Sequence, residues 1–266
     1  MTESILLRHI LLTLVLTFCT SASADVLEDI LERGTIRVGV SEFVPWTLKN
    51  KAGELTGFEI EVATKLADDM GVKPEFKMYV WENIIPALQK GEIDIIAGGM
   101  AITPARALKV NFSRPLATSG VGLATNTRMT RDIESIRQLD AADIVIVTVK
   151  DTFSSSAAKM MFESAELRVF STLGEAEAEI LEGRAHAYVT SMPEAQFLAL
   201  KHDDVVDVPI NEPLIANSEA LAVRKGEQQM LNFLDAWVTA RQSDKWLPTT
   251  RDYWFTTLDW TQDAAR

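Results

Sequence analysis

Cysteine is almost absent: the only thiol among 266 residues is Cys19, and it falls in a stretch expected to be removed. A mature chain without cysteine holds no disulfide, so its stability must come from burying apolar surface. Histidine is nearly as scarce. His9 lies in the same leader, and His186 and His202 have no Cys, Asp or Glu at the spacing of a recognised metal motif, so neither a metal nor a cofactor is expected. Positive charge is in deficit, with a formal net charge of −12 and a pI near 4.8, which removes the electrostatic footprint of a nucleic-acid or anionic-lipid binder. Ser154-Ser155-Ser156 lacks the flanking glycines of a nucleophile elbow, and Gly98-Gly99 lacks the spacing of a dinucleotide loop.

The one pronounced apolar run sits at the start. Arg8 precedes Ile10 to Phe18, and Ala22-Ser23-Ala24 supplies small residues for cleavage, which predicts a secretory signal over residues 1–24 and a periplasmic chain starting near Asp25. The run is too short to span a bilayer comfortably. Bulky Phe18 disfavours Cys19 as a lipid-attachment site.

Past the leader, helix and strand alternate. Leu27, Ile30 and Leu31 share a helical face closed by Gly34, and Thr35 to Val40 reads as a strand. Phe58, Val62, Leu66 and Met70 form a second helical stripe stopped by Gly71, followed by a strand around Phe76 and Met78 and a helix from Ile84 to Lys90. This order predicts an α/β fold with a mostly parallel sheet covered by helices. The grammar then repeats: LQKGEIDIIAGGM, Leu88 to Met100, has a counterpart in ILEGRAHAYVTSM, Ile180 to Met192, with Gly91 and Gly183 aligned. Two lobes of similar build are expected. Ser113 to Ala124 and Val208 to Ala222 are the stretches expected to cross between them, with lobe 1 covering 25–118 and 215–266 and lobe 2 covering 119–214. Gln228 to Ala240 reads as a helix returning to the first lobe, and Trp254 to Trp260 as an aromatic latch.

The stretch DIIAGGMAITPAR, Asp94 to Arg106, is the expected working end. A short buried strand ends in Gly98-Gly99, where another molecule can approach the backbone, and Thr103-Pro104 starts a helix. That corner suits an anion, and Arg106 either clamps a carboxylate there or pairs with a surface acid nearby.

From Gly34 to Gly226 the sequence resembles the extracytoplasmic solute-binding proteins that deliver polar amino acids to ABC importers. The resemblance runs in order through RVGV, FVPW, GELTGFEIEVATKLADDMGV, WENIIPALQKGEIDIIAGG, ITPAR and VNFSRP. It implies a two-lobed periplasmic-binding-protein fold of type II, two crossover strands as a hinge, a monomer that works with a membrane permease, and a solute trapped without chemistry. Position by position, it places Phe43 and Trp81 as aromatic walls, the Gly99 carbonyl toward the solute, Arg106 as carboxylate clamp, and the backbone N–H groups of Thr152 and Phe153 on the same carboxylate.

Three departures stand out. Ala101 replaces a usual Ser or Thr, Asp151 replaces a usual glycine, and Ser191 stands where amino-acid binders commonly put an aspartate against the α-ammonium. A buried ammonium without a carboxylate is costly, so either another acid serves, with Glu42 and Glu194 as candidates, or the solute is a small carboxylate other than a standard amino acid. A rival expectation is enzymatic. The sequence also resembles periplasmic cyclohexadienyl dehydratases, in which Glu194 of TSMPEA would align with the general acid acting on prephenate or arogenate. The bland reading of Glu194 is an acid favourable to a helix N-terminus.

Overall fold

The computed structural model describes residues 25–257 and 259–264. The expected signal and Cys19 lie outside the described residues. No helix among the described residues is long and apolar enough to cross a membrane.

The first lobe is built on α1 (Val26–Arg33), β1 (Thr35–Val40), α2 (Phe58–Met70), β2 (Lys73–Met78), α3 (Trp81–Gln89), β3 (Ile95–Ile96), α4 (Pro104–Ala107) and β4 (Asn111–Phe112). Asp25 caps α1 by accepting from the Leu27 N–H, and Gly34 ends it in the left-handed region at φ 68°. The strand at Asp94 is anchored electrostatically: its buried carboxylate accepts from Arg33 Nη2 and Arg37 Nη2, each at 2.6 Å, and from the Arg37 N–H at 2.7 Å.

The second lobe follows with β5 (Ala117–Asn126), β6 (Val145–Val149), α5 (Phe153–Met161), β7 (Glu166–Phe170), α6 (Leu173–Leu181), β8 (Ala187–Ser191), α7 (Met192–Lys201) and β9 (Val206–Asp207). The chain returns through β10 (Ala216–Glu219) to β11 (Ala222–Val223), α8 (Gln228–Ser243) and α9 (Trp246–Asp252). One sheet runs β2-β1-β3-β11-β4 and the other β9-β5-β8-β6-β7, with β10 paired to β5. The strands fed by helices are parallel, while β11 and β5 enter antiparallel. Sheets with helical crossovers on their faces bury both sides, which is why β8 is buried throughout and β1 over most of its length. β5 and β10 form the crossing between lobes, paired from Ala117↔Glu219 to Gly120↔Ala216.

The internal likeness in the sequence is structural. Gly91 and Gly183 each turn a helix into a central strand with φ of 75° and 70°. The two strand ends, Gly99 and Ser191, face one cleft. The closing aromatics extend the core of the first lobe: Trp254 and Trp260 are 5.4 Å apart, Phe255 sits edge-on to Trp46 at 5.0 Å, and Trp260 reaches Phe197 of α7 at 5.3 Å. The helix expected to stop at Ala240 continues to Ser243.

Candidate functional site

A cavity of about 360 Å³ lies between the lobes at the carboxyl ends of their strands, the position where open α/β sheets gather ligands. Phe43, Trp81, Gly99, Ala101 and Arg106 line it from the first lobe, and Thr152, Phe153 and Ser191 from the second. Of the residues expected to contact the solute, Glu194 does not line it; Glu42 does, from an exposed position at the rim.

Arg106 is placed by its own local sequence. Thr103 caps α4 by accepting from the Arg106 N–H at 3.2 Å, and Pro104 supplies the first turn. The side chain donates from Nη1 to the Ala101 carbonyl at 3.0 Å and from Nη2 to the Asp151 carbonyl of the second lobe at 2.9 Å, and it lies over the Trp81 ring at 5.4 Å. Burial lowers its pKa to about 10, partly opposed by the Asp151 charge, which leaves it fully cationic at neutral pH. Arg106 makes no ion pair among the described residues, so a desolvated guanidinium faces the cavity held only by carbonyls. Asp151 itself sits at φ 58°, a left-handed backbone region that favours glycine.

The lobes are closed over this cavity. The Trp81 indole N–H donates to the Asp151 carbonyl at 3.1 Å, Lys150 pairs with Glu82, and the Val44 N–H donates to Glu194 at 3.2 Å. Phe43 offers one face only, because Trp46 stacks on the other with ring centroids 4.3 Å apart.

Gly99 is required twice. Its φ is 64°, and a Cβ there would stand 2.8 Å from the Trp46 ring. Its N–H donates to Glu59 at 3.1 Å. Glu59 is fully buried and its other oxygen accepts nothing among the described residues, so burial drives its pKa up to about 8, with the nearby Glu219 adding to the rise. Glu219, in β10 at the hinge, lines the cavity and accepts from Trp46 Nε1 at 2.7 Å, Asn217 Nδ2 at 3.2 Å, and the Ser119 hydroxyl. Burial raises its pKa to about 7 against those three hydrogen bonds. Sequence reasoning passed over both acids. Glu59 had a readable signal, since it sits one and two turns before Val62 and Leu66 on the buried face of α2. Glu219 had no such signal, standing after Asn217 and Ser218 at the end of a polar strand.

In the second lobe Thr152 caps α5, accepting from the Ser155 N–H at 3.0 Å, which leaves the first-turn N–H groups of Phe153 and Ser154 without helical partners at the cavity wall. Ser191 likewise caps α7 by accepting from the Glu194 N–H. Glu194 corrects the expectation of a solute contact: it stands behind the wall, fully buried, with Oε2 taken by Val44 and Oε1 accepting nothing among the described residues. Burial and then the facing Glu177, with Glu42 beyond, push its pKa well above the carboxylate range. His186 is structural, its Nδ1 accepting from the Val145 N–H at 3.0 Å.

The sequence matches the family described as bacterial extracellular solute-binding proteins, family 3, over residues 36–257. The chain belongs to that family. Among solved structures of similar fold is an ancestral amino acid-binding protein described as a precursor of cyclohexadienyl dehydratase, 35% identical, with a TM-score of 0.79 over 88% of this chain and 100% of that one. The L-cystine-binding protein of Escherichia coli K12 is 24% identical over 88% of this chain and 87% of its own length. The cyclohexadienyl dehydratase of Pseudomonas aeruginosa is 22% identical over 93% of this chain and 94% of that enzyme. Family membership fixes the two-lobed binding fold and an extracytoplasmic setting, and most of the family binds without catalysing.

Proposed function

We propose that this protein is a periplasmic carrier, exported by a cleaved signal and working as a monomer, that closes on an amino acid or a similar small carboxylate and presents it to an ABC permease. The observation that carries this reading is a half-buried guanidinium at Arg106 that makes no ion pair among the described residues and lines a cavity between the two lobes. A carboxylate seated there would gain a bidentate partner from Arg106 and the free N–H groups at the start of α5. Phe43 and Trp81 would bound its apolar part.

Purified protein titrated calorimetrically with each common L-amino acid tests the reading. Binding of at least one in the micromolar range or tighter is the expected outcome, and no heat with any amino or organic acid would overturn it.

The dehydratase reading draws on the similarity to the Pseudomonas enzyme. Against it, Glu194 reaches across to Val44 and not into the cavity, so a general acid at that position has no access to a solute in the closed form. Incubation with prephenate is expected to yield no phenylpyruvate absorbance.

A further inference from the structure

A half-buried cation, Arg106, and a buried acid, Glu219, line the cavity, and neither makes an ion pair among the described residues. Arg106 is held by carbonyls; Glu219 is held by an indole, a hydroxyl and an amide. Arg251 of α9, the nearby cation, spends its Nη2 on the Thr118 carbonyl at 3.0 Å and makes no ion pair with Glu219. Three donors on a carboxylate with about four acceptor sites leave room for one more. Glu219 is 2% exposed, and it lines the cavity.

Both charges are tied to a single residue. Arg106 Nη1 bonds the Ala101 carbonyl at 3.0 Å, and Ala101 is bridged antiparallel to Glu219. Such bridged residues have Cα atoms about 5 Å apart, so both side chains are rooted at one junction of the cleft. The other acids fit the role less well: Glu42 is exposed at the rim, Glu59 lies beneath Gly99 and outside the lining, and Glu194 is behind the wall.

We propose that Glu219, in the hinge, accepts the ammonium of the solute whose carboxylate Arg106 holds. This rests on the binding function proposed above and names the residue that meets the ammonium. It also accounts for Ser191, because the acid that commonly meets the ammonium from the second lobe is here supplied by the hinge. An ammonium at Glu219 holds that carboxyl ionised. Free, Glu219 titrates at about 7 and its neighbour Glu59 at about 8, with Arg251 the opposing charge, so capture near neutral pH expels a proton.

The test uses the tightest-binding amino acid from the titration panel and its 2-deamino analogue, each titrated at about pH 8 into the unaltered protein and into Glu219→Gln. Glu219→Gln is expected to weaken the amino acid by on the order of 10- to 100-fold and to leave the analogue within about threefold. Near pH 7 the unaltered protein is expected to release a proton on binding the amino acid and none on binding the analogue, read from heats in buffers of different ionisation enthalpy. Equal losses for both compounds, or no loss for either, would overturn the proposal. If Glu219→Gln does not fold, the proton release decides, and its absence overturns the proposal. A protein that binds no amino acid at all would instead refute the carrier reading on which this rests.

Discussion

Trp81 and Arg106, both in the first lobe, donate to one oxygen of the second, the Asp151 carbonyl, at 3.1 and 2.9 Å. Two donors on a single main-chain acceptor bolt the lobes together, and under the proposed function the guanidinium that would meet a carboxylate is one of the bolts, which would couple closure to capture. Trp81→Phe keeps an aromatic ring beside Arg106 and deletes one of the two bolts. Affinity for the best-binding amino acid is expected to fall about 3- to 10-fold, mainly through faster release, with thermal stability within about 1 kcal/mol. Stopped-flow dissociation rates check this.

The buried acids give stability a definite slope with pH. Glu194, Glu59 at about 8 and Glu219 at about 7 all have folded pKa values above the ordinary 4.5. Each therefore leaves stability intact below about pH 4.5 and removes it as pH rises toward the folded value, since the unfolded chain releases its proton first. Glu194→Gln keeps an acceptor for the Val44 N–H and offers a donor to Glu177. Its stability relative to the unaltered protein is expected to improve by about 1–3 kcal/mol between pH 5 and pH 8, seen as a smaller fall in Tm over that range.

Gly99 joins a backbone requirement to a packing one. With φ at 64° and the Trp46 ring 2.8 Å from any added Cβ, Gly99→Ala must move Trp46, which in turn holds Glu219. A loss of more than about 2 kcal/mol in urea unfolding, together with loss of binding, is expected.

The sequence disclosed what depends on local pattern. Thr103-Pro104 and Gly34 act at helix ends as their residue types predict, and the repeated glycines Gly91 and Gly183 sit at equivalent turns. Aligned positions also led to eight of the residues that line the cavity. What escaped was set by contacts across long sequence separations. Glu219 meets Trp46 and Ser119 only because two crossover strands and the first lobe converge, and no local period marks such a meeting. Glu194 misled for the same reason. Its place in TSMPEA fits a cleft-facing acid, yet the Val44 N–H from the other lobe claims its carboxylate.

The central claim is that Arg106 is the carboxylate clamp of a closing cleft. Calorimetry of Arg106→Ala with the amino acid that binds the unaltered protein most tightly tests it directly. Removing a charged bidentate partner in a buried site is expected to weaken binding by on the order of 100-fold or more, with the fold retained. Undiminished affinity in Arg106→Ala would contradict the account.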